Sequence, residues 1–118
     1  MRFFESLRHA SRGIISVFRA GQNFMLQITV GLVLIFMGIF FRVSIIEWLS
    51  LILIATLVLI LEMINTAVEK ILDVVKPRLD ERVGLIKDIM AGAVLISSLS
   101  ALIIGFLVFA PRILAIFY

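Results

Sequence analysis

No charged residue falls within Phe24–Phe41, within Trp48–Leu61 or within Ile89–Ala110. A helix that crosses a bilayer needs about 20 mostly apolar residues, with a range of roughly 17–25. The first and third stretches meet that length alone, and the second meets it when its polar continuation is counted to about Ala67. Three transmembrane helices are therefore predicted. Composition agrees: 63% of the residues are hydrophobic and 16% are charged, against roughly 45–50% apolar in an ordinary soluble domain. A chain of 118 residues suggests one domain. Glu5, Arg8 and Arg12 interrupt any early apolar run, so no cleaved secretory signal is expected. Cysteine is absent, which excludes disulfides and cysteine-based metal sites.

The charges are unevenly placed. Arg2, Arg8, Arg12 and Arg19 precede the first apolar stretch, and Lys70, Lys76, Arg78, Arg82 and Lys87 lie in or beside the second connection. Only Arg42 and Arg112 fall on the other side. The positive-inside rule then puts the N-terminus and the second loop in the cytoplasm and the C-terminus outside the cell membrane. The net charge of +3 is modest, and with no basic tail or patch a nucleic-acid partner is not expected.

Before the first span, Phe3, Leu7, Ala10, Ile14, Val17 and Phe18 recur at helical spacing, opposite Glu5, Arg8, Arg12, Ser16 and Arg19. This pattern predicts an amphipathic helix over 1–20, lying in the cytoplasmic headgroup layer. Gly21-Gln22-Asn23 reads as the turn that follows. The fold class expected is an all-α membrane protein: this surface helix, then spans at 24–42, at 48–75 with a cytoplasmic extension, and at 87–110. Pro77 is placed just beyond the second helix and Pro111 just beyond the third.

The second span carries the unusual chemistry. In "LEMINTAVEKILDVV", residues 61–75, Glu62, Asn65, Thr66, Glu69 and Asp73 share an arc of roughly 100° on one helix face. At about 1.5 Å per residue, Glu62 sits some 10 Å deeper than Glu69, and Asp73 about 6 Å further out again. An acidic residue near a helix centre costs about 2.5–3.5 kcal/mol on insertion scales. Such residues usually face a bundle interior and mark function. The arrangement suits a reaction at the membrane surface, with interfacial carboxylates to hold a metal and a deeper one to meet something dissolved in lipid. The bland alternative pairs Glu69 with Lys70 and Asp73 with Arg78, and makes Glu62 a hydrogen-bonded packing residue.

Lys87-Asp88 begins the third span at the same level. The lysine either snorkels or neutralises phosphate, and the aspartate either favours the helix start or orients on a nucleotide. Neither G-x-x-x-x-G-K-[ST] nor G-x-G-x-x-G occurs, so there is no standard phosphate cradle. His9 stands alone and is not read as a ligand.

The segment "EMINTAVEKILDVV", followed after a short basic loop by "KDIMAGAVLI", resembles the signature of the prokaryotic diacylglycerol kinase family, which includes undecaprenol kinases. The likeness extends over nearly the whole chain. It implies a small integral-membrane enzyme, a homotrimer, that transfers the γ-phosphate of ATP with Mg2+ to a lipid hydroxyl. By this resemblance Glu62 matches the catalytic base, and Asn65 matches the asparagine of the active-site core. Glu69 matches a carboxylate that binds the metal with the nucleotide, Asp73 a nearby acid, and Lys87 and Asp88 the pair that contacts the nucleotide. One feature departs from the pattern: a second metal-binding glutamate would stand three residues before Phe24, where this chain has Gly21. "NTAVEK" and the "NF" before the first span lean towards the undecaprenol branch. Two other readings stay open: a catalytically silent membrane scaffold, and a small ion or proton carrier that relays through Glu62. The carrier is disfavoured because the acids climb only half of the membrane.

Overall fold

The computed structural model describes residues 2–75 and 81–118. Lys76, Pro77 and Arg78, to which the sequence assigns a helix end, positive charge and a partner for Asp73, lie outside the described residues. The described residues form four helices: α1 (Arg2–Ala20), α2 (Gln22–Phe41), α3 (Ile45–Val75) and α4 (Glu81–Phe117). The last three are each long and apolar enough to cross a membrane. At 31 and 37 residues, α3 and α4 run to roughly 46 and 55 Å, well beyond a hydrocarbon layer of about 30 Å. Their ends must project into the interfaces.

Local chemistry explains several of the boundaries that differ from the sequence reading. The turn after α1 shrinks to Gly21 alone, in extended backbone at φ −177° and ψ 174°, so Asn23 is already helical. α2 closes with Arg42 in the left-handed region at φ 54°. There the Arg42 amide donates to the Ile39 carbonyl at 3.3 Å and the Val43 amide to the Gly38 carbonyl at 3.2 Å, the paired bonds of a Schellman stop. α3 begins at Ile45, before the Trp48 start expected, because Ser44 and Glu47 form a capping box. The Ser44 amide donates to Glu47 Oε1 at 3.0 Å, and the Glu47 amide donates to Ser44 Oγ at 3.2 Å.

α4 departs most. It starts six residues ahead of Lys87 and runs through Pro111, which was expected to lie past its end. A proline inside a helix cannot donate to the carbonyl four residues back, and membrane helices tolerate it when other groups serve the freed backbone. The carbonyl that Pro111 frees is that of Leu107; beside it, the Arg112 guanidinium donates to the Val108 carbonyl at 2.8 Å. The same guanidinium also forks onto Glu47, Nη1 to Oε2 and Nη2 to Oε1, both at 2.6 Å. This bidentate pair ties the start of α3 to the end of α4.

Val43, Leu51, Val108 and Phe109 form a buried cluster at that end, packed against Trp48, Phe41 and Met37. Between helices in lipid the attraction is van der Waals packing, since lipid tails are as apolar as the side chains. Close approach therefore matters, and Gly38 supplies it by letting the Trp48 ring lie directly on α2. α3 and α4 share the most extensive contact of any pair. Among the described residues no large side chain is fully buried, and large apolar residues such as Phe36, Phe40, Leu53 and Phe106 stand exposed on the spanning helices. These surfaces suit lipid or neighbouring copies.

Candidate functional site

At the opposite end of α3, the residues at i, i+3, i+4 and i+7 from Glu62 form a stripe on one helix face. Glu62, Asn65, Thr66 and Glu69 all line one cavity of about 140 Å³. α1 closes it with Val17 and Ala20, and the α1–α2 junction closes it with Gly21, Asn23 and Phe24. The edge-to-face contact of Phe18 on Phe24, ring centres 4.9 Å apart, holds that junction together. Glu62 forms the floor, with 7% of its surface exposed. Thr66 uses its hydroxyl proton locally by donating to the Glu62 carbonyl at 3.0 Å, so it adds no free donor to the cavity. Asn65 donates from Nδ2 to Glu69 Oε1 at 3.5 Å.

Three of the six residues singled out in the sequence are thus brought together: Glu62, Asn65 and Glu69. The other three do not line the cavity within one chain: Asp73 and Asp88 are exposed and Lys87 is half-buried. Among the described residues Lys70 forms no ion pair with Glu69.

Two groups escaped sequence reasoning. Gln27 of α2 donates from Nε2 to Glu62 Oε2 at 3.4 Å, a pairing across helices that no spacing along one helix reveals. Arg12, Arg19 and Lys70 line an open cleft of about 490 Å³ that shares Ala20 with the cavity. In the sequence these two arginines are the solvated face of an amphipathic helix. The structure sets them beside the acidic stripe, so cationic and anionic walls adjoin.

A cavity of 140 Å³ is smaller than the roughly 300–1,000 Å³ of a whole-ligand site. It suits a hydroxyl and a terminal phosphate, with the bulk of each substrate outside. Among the described residues no group of three or more histidine, cysteine or acidic side chains could hold a metal. The oxygen donors present suit a hard cation of the magnesium type, which is commonly held by one or two carboxylates together with substrate phosphates and water. Glu69, at the outer end of the cavity, fits that minimal role. At Gly21 a β-carbon would meet nothing within 4 Å, so the cavity has room for a side chain that this sequence does not supply.

Comparison with known proteins gives an independent line. The family model described as prokaryotic diacylglycerol kinase matches residues 8–109. An undecaprenol kinase of Bacillus subtilis is 34% identical over 112 residues, covering 95% of this chain and 91% of that protein. A diacylglycerol kinase of Synechocystis sp. is 32% identical over 112 residues, covering 94% of this chain and 64% of that protein. No solved structure matches.

Proposed function

The chain belongs to the prokaryotic diacylglycerol kinase family and is a membrane lipid kinase; from this premise we propose that it transfers the γ-phosphate of ATP to the hydroxyl of a membrane lipid alcohol at the cytoplasmic interface. Undecaprenol is the preferred acceptor and diacylglycerol the second. The fuller match to an undecaprenol kinase, 91% of its length against 64% for the diacylglycerol kinase, supports that order.

The observation that carries the proposal is the depth and company of Glu62. It lies buried on a membrane-spanning helix, in one cavity with Glu69 and about 10 Å below it along the helix axis. A carboxylate in that place reaches a hydroxyl that arrives from lipid. Glu62 accepts the hydroxyl proton while the hydroxyl oxygen forms a bond to the γ-phosphorus. The bond from that phosphorus to the β–γ bridging oxygen breaks, ADP leaves, and the proton passes from Glu62 to water. Phosphoryl transfer asks mainly for alignment and charge neutralisation, so no covalent intermediate on the protein is needed. Glu69, steadied by the Asn65 amide, would hold Mg2+, which when bound neutralises phosphate charge. Arg12, Arg19 and Lys70 border the same site and offset the rest of the nucleotide charge. Lys87, Asp88 and Asp73 belong to the nucleotide side of this reading, with α4 supplied by a neighbouring copy in a homotrimer. α1, whose Phe3, Leu7 and Ile14 are exposed, lies on the headgroup layer with these residues towards lipid.

The test is purified protein in mixed micelles with γ-labelled ATP, magnesium and each lipid alcohol in turn. Labelled lipid is expected from the parent and is lost in Glu62→Gln and in Glu69→Gln. Folded protein that labels neither acceptor would overturn the kinase reading and support a membrane scaffold that retains the fold.

A further inference from the structure

Between Phe24 and Phe41, Gln27 and Thr29 are the only side chains with hydrogen-bonding groups other than sulfur. Thr29 is satisfied within its own helix by donating to the Met25 carbonyl at 2.9 Å. Gln27 is not. Its Nε2 reaches across to Glu62 Oε2 at 3.4 Å, while its Oε1 is buried and has no partner. Buried amide oxygens are nearly always paired, so this one is a group awaiting a donor. No charged residue lies on α2. Of the titratable groups nearby, Glu62 and Glu69 line the cavity, Arg12, Arg19 and Lys70 line the adjoining cleft, and Lys87 and Asp88 of α4 line neither.

We propose that Gln27 is a positioning residue for Glu62: its amide donates to the carboxylate before proton transfer and accepts from the carboxylic acid afterwards. The inference rests on the reading of Glu62 as the base. A primary amide suits this because it carries both donors and an acceptor on one planar group. In the resting state Nε2 donates to Glu62 Oε2 and fixes the orientation of the carboxylate that floors the cavity. Once Glu62 holds the proton of the lipid hydroxyl, its own O–H needs an acceptor. A half-turn of the amide about its last side-chain torsion presents Oε1, the atom now unpaired. The proton never transfers to Gln27; it leaves Glu62 for water. Gln27 so keeps Glu62 hydrogen-bonded in both states within an apolar helix pair, where neither leucine nor methionine would.

The test compares kinetics of the full-length protein in micelles with ATP, magnesium and undecaprenol. Gln27→Met preserves length and removes both hydrogen-bonding functions, and Gln27→Glu preserves shape but removes the amide donors. Each is expected to lower kcat by about tenfold or more, the scale at which an orienting partner acts, with KM for ATP within about twofold and thermal unfolding unchanged. The second arm repeats Gln27→Met in a Glu62→Asp background, where the carboxylate is withdrawn by one methylene and the pair is already broken. There the further loss is expected to vanish, since residues that act through one contact are not additive. Parent-like kcat in both Gln27 variants overturns the proposal and leaves Gln27 as a packing residue. An equal loss in the Glu62→Asp background does the same. Activity surviving in Glu62→Gln would instead sink the assignment of the base itself, whatever Gln27 does.

Discussion

Gly38→Ala should loosen the bundle although alanine favours helices. An ideal β-carbon at Gly38 would lie 2.5 Å from Cη2, 2.9 Å from Cζ2 and 3.0 Å from Cζ3 of Trp48. Carbon atoms prefer about 3.5–4.0 Å, so the ring would have to retreat by about 1 Å. Trp48 packs against the buried cluster of Val43, Leu51, Val108 and Phe109, which leaves little room to do so. Overpacking of this kind costs about 1–3 kcal/mol, whereas replacing glycine by alanine inside a helix returns roughly 0.5–1 kcal/mol. The net expectation is a loss of about 1 kcal/mol. Gly31 lies in the same helix, and a β-carbon there meets nothing within 4 Å, so Gly31→Ala should gain the propensity term alone. The difference between the two variants isolates the steric term at about 1–3 kcal/mol. Reversible unfolding in mixed detergent micelles measures it, and shortening the opposing ring with Trp48→Leu should remove most of the penalty. If Gly38→Ala proves as stable as Gly31→Ala, the close approach of α2 and α3 is not what the structure describes. Because the same two helices meet again at Gln27 and Glu62, the wedge should also reduce kcat.

Arg42 occupies the left-handed region at φ 54°, where a side chain costs roughly 1–2 kcal/mol that glycine avoids. Arg42→Gly should therefore stabilise the protein by up to about 1 kcal/mol once the added freedom of the unfolded chain is set against that relief, and unchanged or lower stability would count against the Schellman stop. Gly21→Glu places a second carboxylate in an uncrowded part of the cavity. An added charged contact is worth about 1.5–3 kcal/mol, so the magnesium concentration for half-maximal lipid phosphorylation should fall by roughly tenfold or more. An unaltered magnesium dependence would show that position 21 does not face the cation.

The spans were legible because charge-free runs of bilayer length leave few other folds open. Helix ends were less so. The second span was expected to start at Trp48, yet the side chains of Ser44 and Glu47 bond each other's backbone amides and start the helix earlier. Pro111 reads as a stop, and the helix passes it while Arg112, the next residue, serves the Val108 carbonyl and anchors on Glu47. In the site, Glu62, Asn65 and Glu69 could be grouped from the sequence because helical spacing puts them in one stripe. Gln27 could not, since its meaning comes from a partner on another helix. Lys87 and Asp88 were grouped with the stripe by their depth at the start of the third span and by resemblance, and a single chain does not bring them to its cavity.

The account turns on a division of labour along α3, with Glu62 acting on the lipid hydroxyl and Glu69 on the nucleotide with its cation. Nucleotide binding and single-turnover transfer, measured side by side on the Glu62→Gln protein with Mn2+ as a paramagnetic substitute for magnesium, test this most directly. The account predicts manganese–ATP binding within about twofold of the parent together with loss of phosphate transfer by about 100-fold or more, the contribution of a general base. Transfer at the parent rate in that variant would contradict it.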